Sequence, residues 1–372
     1  MSQPIAARLS AIRQAMVLEG FDAVVLNPGP SLPYLSGLHF HISERPVLFC
    51  ITADDATIVV PELEAQKLNH ASFPLRSFTY TENLASWQVA FDSALAHLNT
   101  SGGKKVGIEP ISLRVLELRF LEAALPQAKL TSCEQLIARL RMRKDEQELR
   151  LMRDAVEMAQ LALADTLPHV KVGVSELEIS SILIQRLLAH GSGGELPFQP
   201  IIAFGANSAN PHAVPSDYTA KEGDLILFDW GANNQGYFSD LTRTFSLGEP
   251  GETLRNVHDA VNRANAAGRA QAGPGITTGS IDDATRGVIQ EAGYGEYFTH
   301  RTGHGLGLEV HEEPYIRSGN DSILDIGMTF TIEPGIYLPD QGGVRIEDDM
   351  VITESGAESL STYPRELRIL PV

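Results

Sequence analysis

The chain begins with apolar residues at helical spacing. They are Ile5, Leu9, Ile12 and Met16. Pro4 precedes the first of them and Gly20 follows the last. Residues at this spacing share one face of a helix, proline suits the first turn, and glycine often ends a helix. The pattern predicts an amphipathic helix over residues 1–20.

Short apolar and β-branched runs alternate with helical patterns as far as Arg143. The runs are Ala23–Leu26, Val47–Thr52, Thr57–Val60 and Lys105–Ile108. This alternation is typical of a sheet covered by helices. We therefore predict a small N-terminal α/β domain over residues 1–143.

The pattern changes at Lys144, where a long helix begins. Its apolar face consists of Leu149, Met152, Val156, Ala159 and Leu163. The charged run 144–148 predicts a solvent-exposed helix start. Ser175 and Glu178 have the spacing of a capping box, which predicts a second helix towards His190.

Two β-hairpin patterns follow, separated by helical patterns over Glu252–Ala272 and Ser280–Ala292. Each half of this part holds helices followed by a hairpin, which indicates an internal duplication. We predict a second, C-terminal α+β domain over residues 144–372.

Composition narrows the class of protein. The 372 residues include 29 Lys and Arg against 47 Asp and Glu, a net charge of -18. Such a charge repels phosphate backbones and anionic lipids, so neither nucleic acid nor a membrane is an expected partner. Cys50 and Cys133 lack the spacing of a redox or zinc site, and two lone thiols fit a reducing compartment. No apolar stretch resembles a signal or a membrane span, so we expect a cytoplasmic protein.

The first hairpin pattern carries two aspartates. Asp229 ends an apolar strand, and Asp240 follows a turn rich in Asn and Gly. A turn centred on Asn234 and Gln235 places the two carboxylates opposite each other on one face. Like charges so placed favour a divalent cation between them, although a solvated aspartate at a strand end is an equal alternative.

The second hairpin pattern repeats this feature. Glu333 ends the apolar strand that starts at Met328, and Glu347 lies in the returning strand. Arg345 and Glu347 are two positions apart and share a face. Taken alone, an Arg–Glu pair at the surface explains this strand better than a metal ligand does.

Histidines lie between and before the hairpins. His300, His304 and His311 occur among glycines, and His212 lies in a similar turn-rich segment. Glycine allows close backbone approach and positive φ, which suits a ligand loop better than a core element. Four carboxylates and an imidazole suit Mn²⁺, and also Co²⁺, Fe²⁺ or Zn²⁺. A pair of such ions activates water for attack on a carbonyl or phosphoryl centre, so hydrolysis is the expected reaction class.

These motifs resemble those of the M24 peptidases, the group of prolidase, aminopeptidase P and creatinase. The matching motifs are F-D-W-G at 228–231, S-D-x-T-R at 239–243, G-H-G-L-G-L at 303–308, E-P-G at 333–335 and R-x-E at 345–347. The N-terminal run Tyr34-Leu-Ser-Gly and Glu44-Arg-Pro46 is similar too. The resemblance implies a creatinase-like N-terminal domain and a C-terminal catalytic domain of the pita-bread fold.

The resemblance also implies a role for each matching residue. Two metal ions would be held by Asp229, Asp240, His304, Glu333 and Glu347. Asp240 and Glu347 would bridge the ions, and Glu333 would also shuttle a proton. The outer catalytic residues would be His212, His300, His311 and Arg345, with Tyr337 as a further substrate-side residue. The substrate would be a short peptide cleaved on the amino side of proline.

Several alternatives stay open within this resemblance. The motifs serve both an Xaa-Pro dipeptidase and an Xaa-Pro aminopeptidase. A hydrolase of another small amide and a non-enzymatic peptide-binding protein are the other classes, although a binding protein would be expected to tolerate loss of ligands. Creatinase itself lacks the metal set, and methionine aminopeptidases generally lack the large N-terminal domain.

Two further predictions concern substrate and assembly. Arg301 is close enough to His304 in sequence to clamp a dipeptide's carboxylate, and Arg317 is a weaker candidate. Alternatively, Arg301 is solvated or pairs with Glu312 or Glu313. The family usually forms homodimers, and His39 and His41 share strand parity in a loop that would cap the partner's site. An ordinary solvated loop explains residues 36–45 equally well.

Overall fold

The computed structural model describes residues 5–101 and 103–372. The chain divides into two units, Met1–Arg141 and Met142–Val372. Among the residues that the structure describes, no helix is both long and apolar enough to cross a bilayer.

The N-terminal unit is built on a mixed six-stranded sheet in the order β4-β3-β2-β1-β5-β6. Its strands are β1 Ala23–Leu26, β2 Leu48–Thr52, β3 Ala56–Pro61, β4 Arg76–Tyr80, β5 Lys105–Ile108 and β6 Lys129–Ser132. Its helices are α1 Ile5–Glu19, α2 Ser31–Ser36, α3 Leu84–Leu95, α4 Val115–Ala124 and α5 Glu134–Arg141. The first helix buries Leu9, Ile12 and Met16 as predicted, while Pro4 lies outside the described residues.

Both faces of the central strands of this sheet are buried. Alternate residues such as Val25 and Cys50 pack on α3 and α4, and the residues between them are buried on the other face. Strands buried on both faces appear in the sequence as continuous apolar runs, which is why short runs were the visible signal. The predicted α/β class of this part is confirmed by the alternating elements.

Helices of the C-terminal unit come in two pairs. They are α6 Glu146–Thr166, α7 Glu176–Ala189, α8 Glu252–Gln271 and α9 Thr278–Glu291. Two larger sheets, ordered β19-β11-β8-β7 and β13-β12-β14-β17-β18, accompany the small pairs β9-β10 and β15-β16.

The strands of this unit lie between and after the helix pairs. They are β7 Ile201–Phe204, β8 Leu225–Trp230, β9 Asn233–Asn234, β10 Tyr237–Phe238, β11 Leu241–Leu247, β12 Gly303–Gly305, β13 Glu312–Ile316, β14 Thr329–Ile332, β15 Gly335–Leu338, β16 Gly342–Arg345, β17 Asp348–Thr353, β18 Gly356–Ser359 and β19 Ile369–Leu370. Residues of α6 and α7 share a core with β7, β8 and β11. Residues of α8 and α9 share cores with β14 to β17. Each helix pair therefore supports one carboxylate-bearing group of strands.

The start of α6 is only partly solvent-exposed, because Glu146 is exposed as predicted whereas Lys144 and Glu148 are buried. Asp145 caps the helix by accepting from the amides of Gln147 and Glu148 at 2.8 and 2.9 Å. Lys144 is only 6% exposed, and its Nζ donates to Oε1 of Glu312 at 2.6 Å. A charged run at a helix start predicts exposure only when no tertiary partner is present, and here Glu312 supplies one.

Candidate metal centre and active site

The first hairpin has a different register from the predicted one. Thr242, not Asp240, lies opposite Asp229 in the β8–β11 ladder. The turn is centred on Gln235 and Gly236, whose φ angles of 54° and 89° are typical of a type I′ turn. Gly236 accepts positive φ without a steric penalty, and this displaces the turn by one position and the register by two. An even shift keeps the side chains on the same face, so Asp229 and Asp240 still converge.

The second group of carboxylates also lies differently along the strands. Glu333 follows β14 directly, as predicted, but β14 pairs with β17, and the hairpin β15–β16 is interposed. Glu347 lies between β16 and β17 and forms an isolated bridge with Thr242. Arg345 and Glu347 are 3% and 2% exposed, so the alternative of a surface pair is wrong.

The five predicted ligands come together in overlapping groups. One consists of Asp229, Asp240 and Glu347, and another of His304, Glu333 and Glu347, with donor atoms in each group within 4.8 Å of one another. The two groups share Glu347. A third group within the same distance consists of Asp240, His304 and His311. His311 is therefore near enough to reach an ion, although we predict that it acts on substrate.

Three buried carboxylate oxygens in this cluster have no hydrogen-bond partner within the described residues. They are Oδ1 of Asp229, Oδ1 of Asp240 and Oε1 of Glu347. Buried polar atoms without partners are rare, and each costs about 1–3 kcal/mol or more when charged. Oxygen donors that converge in this way fit a divalent cation. The residues present therefore fit a pair of metal ions.

The second oxygen of Asp229 and that of Glu347 are each held by a neighbouring side chain. Nη2 of Arg345 forms an ion pair with Oδ2 of Asp229. The Thr242 hydroxyl donates to Oε2 of Glu347 at 2.7 Å and accepts from Nε of Arg345 at 3.2 Å. One oxygen of Asp229 and one of Glu347 are thus fixed by protein groups, and the other oxygen of each is left for a ligand.

Burial and like charge act on the acidic groups of the cluster. Burial, followed by the neighbouring carboxylates, raises the pKa of Asp240 and of Glu347 well above the usual value. Burial also raises the pKa of Glu333, but His304, through its hydrogen bond and charge, outweighs this and lowers that pKa to about 2. Without a cation, Asp240 and Glu347 therefore favour bound protons, which a divalent ion would displace.

His304 lies on the short strand β12 rather than in a loop. A Cβ atom at Gly303 would collide with the Thr331 carbonyl, and one at Gly305 with the Glu313 carbonyl. These glycines are therefore needed for close strand packing, not for positive φ. Nε2 of His304 lies 3.3 Å from Oε1 of Glu333 and 3.7 Å from Oδ2 of Asp240. The ring therefore faces both groups of carboxylates.

His300 is joined to Arg345 through Tyr337. Nδ1 of His300 is 2.7 Å from the Arg301 carbonyl, so this nitrogen carries the proton. Nε2 then accepts from the Tyr337 hydroxyl at 2.8 Å, and the hydroxyl oxygen accepts from Nη1 of Arg345 at 2.7 Å. Burial lowers the pKa of His300, which agrees with a neutral ring. Tyr337 is buried behind the cavity and positions two residues that line it.

A cavity of about 730 Å³ opens over the cluster. His212, His300, Arg301 and His311 line it together with all five predicted ligands and Arg345. Its apolar wall consists of Pro197, Phe198, Ile201, Pro211, Val214 and Val310. Burial, followed by the charge of His304, lowers the pKa of His311 to about 4, although the residue as a whole is exposed to solvent. The cavity combines an apolar wall with a polar floor, which suits a small amphipathic substrate.

Arg301 stacks on an aromatic ring at the edge of this cavity. Its guanidinium carbon is 4.4 Å from the Tyr315 ring centroid. In the part of the chain that is described, it forms no ion pair with Glu312 or Glu313, and Glu312 pairs with Lys144 instead. The predicted pairing with Glu312 or Glu313 is therefore wrong, and the solvated alternative stays open. Arg317 is exposed and does not line the cavity.

His39 and His41 belong to the N-terminal unit. Both are exposed, and residues 38–45 form no strand, so the predicted strand parity is wrong. The segment follows α2, which ends at Gly37 with φ 71°. Their proposed contact with a substrate or a partner stays a prediction.

Three supporting interactions were not predicted. Thr242 holds Glu347, although the motif S-D-x-T-R contains it. Asp282, fully buried on α9, accepts from the Thr302 amide at 3.0 Å and pairs with Arg286, which donates to the His300 carbonyl at 2.8 Å. The apolar wall of the cavity is the third. Part of it comes from the run Leu196-Pro-Phe-Gln-Pro200, which is apolar but has the period of neither a helix nor a strand.

Comparison with known proteins agrees with this geometry. The profile of metallopeptidase family M24 matches residues 150–354, and that of the creatinase/prolidase N-terminal domain matches residues 8–143. An Xaa-Pro dipeptidase from Pyrococcus horikoshii is 36% identical over 365 residues, covering 97% of this chain and 98% of that protein.

Solved structures with the same architecture cover nearly the whole chain. A prolidase from Thermococcus sibiricus superimposes with a TM-score of 0.94 at 32% identity, covering 100% of both chains. An X-Pro aminopeptidase from Thermotoga maritima superimposes with a TM-score of 0.84 at 31% identity, covering 98% of this chain and 99% of that one.

Proposed function

Because the chain belongs to metallopeptidase family M24, we propose that it hydrolyses the peptide bond on the amino side of proline in short peptides. The family and the fold class predicted from the sequence are confirmed. The observation that carries the proposal is the convergence of three partnerless carboxylate oxygens beside His304 and Glu333 on the floor of the cavity. Relatives named for Xaa-Pro hydrolysis support the choice of substrate.

Two divalent ions, Mn²⁺ being our choice, would be held by five residues. These are Asp229, Asp240, His304, Glu333 and Glu347. When bound, such ions lower the pKa of a water molecule and polarise a carbonyl group. The oxygen-rich donor set favours Mn²⁺ over the softer ions.

The side chains around the ligands would carry out the remaining tasks. Glu333 lines the cavity and lies beside His304, so its carboxylate would be placed to accept a proton from water. A neutral His311 presents a ring to the cavity and can donate to a developing oxyanion. The apolar wall would accommodate the proline ring and exclude water from it.

A peptide series tests this function. Protein freed of metal and reloaded with Mn²⁺ or Co²⁺ is assayed on Xaa-Pro, Xaa-Pro-Yaa and matched Xaa-Ala peptides. We expect hydrolysis of the proline peptides only. Asp240→Ala should abolish it and lower the bound metal, whereas Asp321→Ala, which removes an exposed loop carboxylate, should change neither. Equal turnover of the alanine peptides, or normal turnover by Asp240→Ala, would refute the proposal.

The dipeptidase activity depends on a group that recognises a free carboxylate. Arg301 lines the cavity, has no competing ion pair in the described chain and is held by the Tyr315 ring. Its planar guanidinium can donate two parallel hydrogen bonds to a carboxylate. A lost charge-assisted contact costs about 1.5–3 kcal/mol, or roughly tenfold or more in kcat/KM.

Arg301→Ala therefore separates the two activities. We expect the loss on Xaa-Pro and little change on Xaa-Pro-Yaa-Yaa, whose carboxylate lies elsewhere. Arg317→Ala is the matched control, because Arg317 is exposed and outside the cavity. Equal losses on both peptides would remove Arg301 as the clamp.

Assembly and compartment complete the proposal. We propose a cytoplasmic homodimer, with the segment 36–45 as the part that would cap the partner's site. Both cysteines are free and buried, which supports a reducing compartment. Light scattering at micromolar concentration should give the dimer mass, and a monomer mass would refute the assembly.

A further inference from the structure

Glu176 is a fully buried carboxylate outside the metal cluster. It occupies the first position of α7 and is 0% exposed. Its Oε1 accepts from the Phe204 amide at 2.7 Å and from the Asn207 side chain at 3.1 Å. Its Oε2 accepts from the amide and hydroxyl of Ser216 at 2.9 and 2.6 Å. In the described chain no Lys or Arg pairs with it, so these dipoles alone solvate the charge.

The donors to Glu176 lie at the two ends of one segment. Residues 204–216, here called the His212 segment, run from the last residue of β7 to Ser216. The segment carries His212 and supplies Pro211 and Val214 to the cavity wall. A single carboxylate therefore accepts hydrogen bonds from both ends of the segment and holds them together.

Backbone amides of α7 also donate to Ser216, the last residue of the His212 segment, and to Tyr218, two residues beyond it. The amides of Glu176 and Leu177 donate to the carbonyls of Tyr218 and Ser216 at 3.1 and 3.2 Å. These amides belong to the first turn of α7 and lack partners within the helix. The positive end of the helix dipole also favours a carboxylate at this place. The segment therefore has a fixed docking position on α7.

The middle of the His212 segment contacts β16, the strand that leads to Arg345 and Glu347. The Gly343 amide donates to the Ser208 hydroxyl at 2.8 Å, and that hydroxyl donates to the Gly205 carbonyl at 2.6 Å. Gly343 lies on β16, which ends at Arg345. A displacement of the segment would therefore move His212 relative to the ligands.

We propose that Glu176 is a positioning residue that sets the place of His212 over the metal centre. The expected effect on kcat/KM rests on the proposed function. The expected displacement of His212 rests on the hydrogen bonds alone. Glu176→Gln keeps the size of the side chain but directs an amide group towards a donor, so one end of the segment is released. His212 should then sample positions from which it does not reach the substrate.

A double-mutant cycle tests the kinetic consequence. Glu176→Gln should lower kcat/KM by roughly ten- to hundredfold, because small displacements of a reacting geometry have effects of this size. It should leave bound metal unchanged, and it should have little further effect when combined with His212→Ala. Glu178→Gln is the matched control, because Glu178 lies on the same helix turn but is exposed and caps only Ser175. Its effect should be small and independent of His212.

A second variant guards against loss of folding. Ser216→Ala removes the 2.6 Å hydroxyl contact from the side of the segment and leaves the buried carboxylate and the amide contact in place. It should give a smaller loss that is also absent in the His212→Ala background. An equal loss with and without His212, for either variant, would overturn the inference and leave Glu176 a purely structural residue.

The structural consequence is measured without any substrate. The ring resonance of His212, identified by its absence in His212→Ala, should shift or broaden in Glu176→Gln and stay unchanged in Glu178→Gln. An unchanged resonance would overturn the inference even if the protein hydrolyses Xaa-Pro. A shifted resonance in a protein that hydrolyses no Xaa-Pro peptide would support it and refute the proposed function instead.

Discussion

Replacing Thr242 by Val removes one hydroxyl from beneath the cluster of carboxylates proposed to bind metal. Thr242 is 0% exposed, and its hydroxyl is the group that donates to Oε2 of Glu347 at 2.7 Å. Valine has nearly the same shape, so the main change is chemical. Glu347 then loses the hydrogen bond that fixes its Oε2 and so directs its Oε1 towards the cluster. Nε of Arg345 loses a hydrogen-bond acceptor.

The magnitude follows from the charge of the acceptor. A hydrogen bond to a charged group contributes about 1.5–3 kcal/mol, which corresponds to roughly ten- to 150-fold in a binding constant. Loss of groups that orient metal ligands typically weakens metal binding by about 10–100-fold. We therefore expect Thr242→Val to weaken Mn²⁺ binding by about one to two orders of magnitude, by the same reasoning.

The assay is a calorimetric titration of metal-free protein with Mn²⁺. Thr242→Ser is the matched control, because it keeps the hydroxyl and loses only a methyl group. We expect the Thr242→Ser protein to bind Mn²⁺ nearly as well as the unchanged protein. Val and Ser variants with the same affinity would refute the reasoning, because the methyl group rather than the hydroxyl would then matter.

Three other predictions concern the cavity and the core. His311→Ala should lower turnover with bound metal roughly intact, and stoichiometric loss of metal by elemental analysis would instead make His311 a ligand. Burial lowers the pKa of His258 to about 4, so the unfolded chain binds the extra proton and stability is lost as pH falls from about 6.5 to 4. Urea unfolding measures the free energy of unfolding at each pH. Between pH 6.5 and 4, the loss of this free energy should be smaller in His258→Gln than in the unchanged protein, by up to about 3 kcal/mol. The same pH dependence in both proteins would contradict this. Lys144→Met removes the cation beside buried Glu312 and should destabilise by about 3–5 kcal/mol in the same assay, where a change below about 1 kcal/mol would contradict the buried pair.

Features that depend on local spacing could be predicted from the sequence. The capping box of Ser175 and Glu178 is present as predicted, because both partners lie within one helix turn. The buried face of α1 is also present, because helical periodicity decides which side chains face the core. The convergence of the acidic residues could be predicted for a different reason, since carboxylates at the ends of apolar strands repel one another unless a cation lies between them.

Features that depend on tertiary partners could not be predicted in this way. Lys144 was predicted to be solvated because its partner Glu312 is 168 residues away in the sequence. Tyr337 carries no polar neighbours in the chain, yet its hydroxyl joins His300 to Arg345. Glu176 looks like an ordinary acidic residue in a first helix turn, and only the fold brings both ends of the His212 segment to it.

The register of the first hairpin shows why the site was predicted better than its geometry. The turn was displaced by one position because Gly236 accepts the positive φ that a type I′ turn needs at both central residues. Displacing a turn by one position shifts the pairing by two, and a strand has a period of two. The side chain of Asp229 therefore lies on the predicted face of the hairpin, but Thr242 rather than Asp240 is paired with it. That exchange put a hydroxyl where a second carboxylate was expected, and the hydroxyl holds Glu347 in the cluster. The error in register thus left the ligand set intact and concealed the residue that orients it.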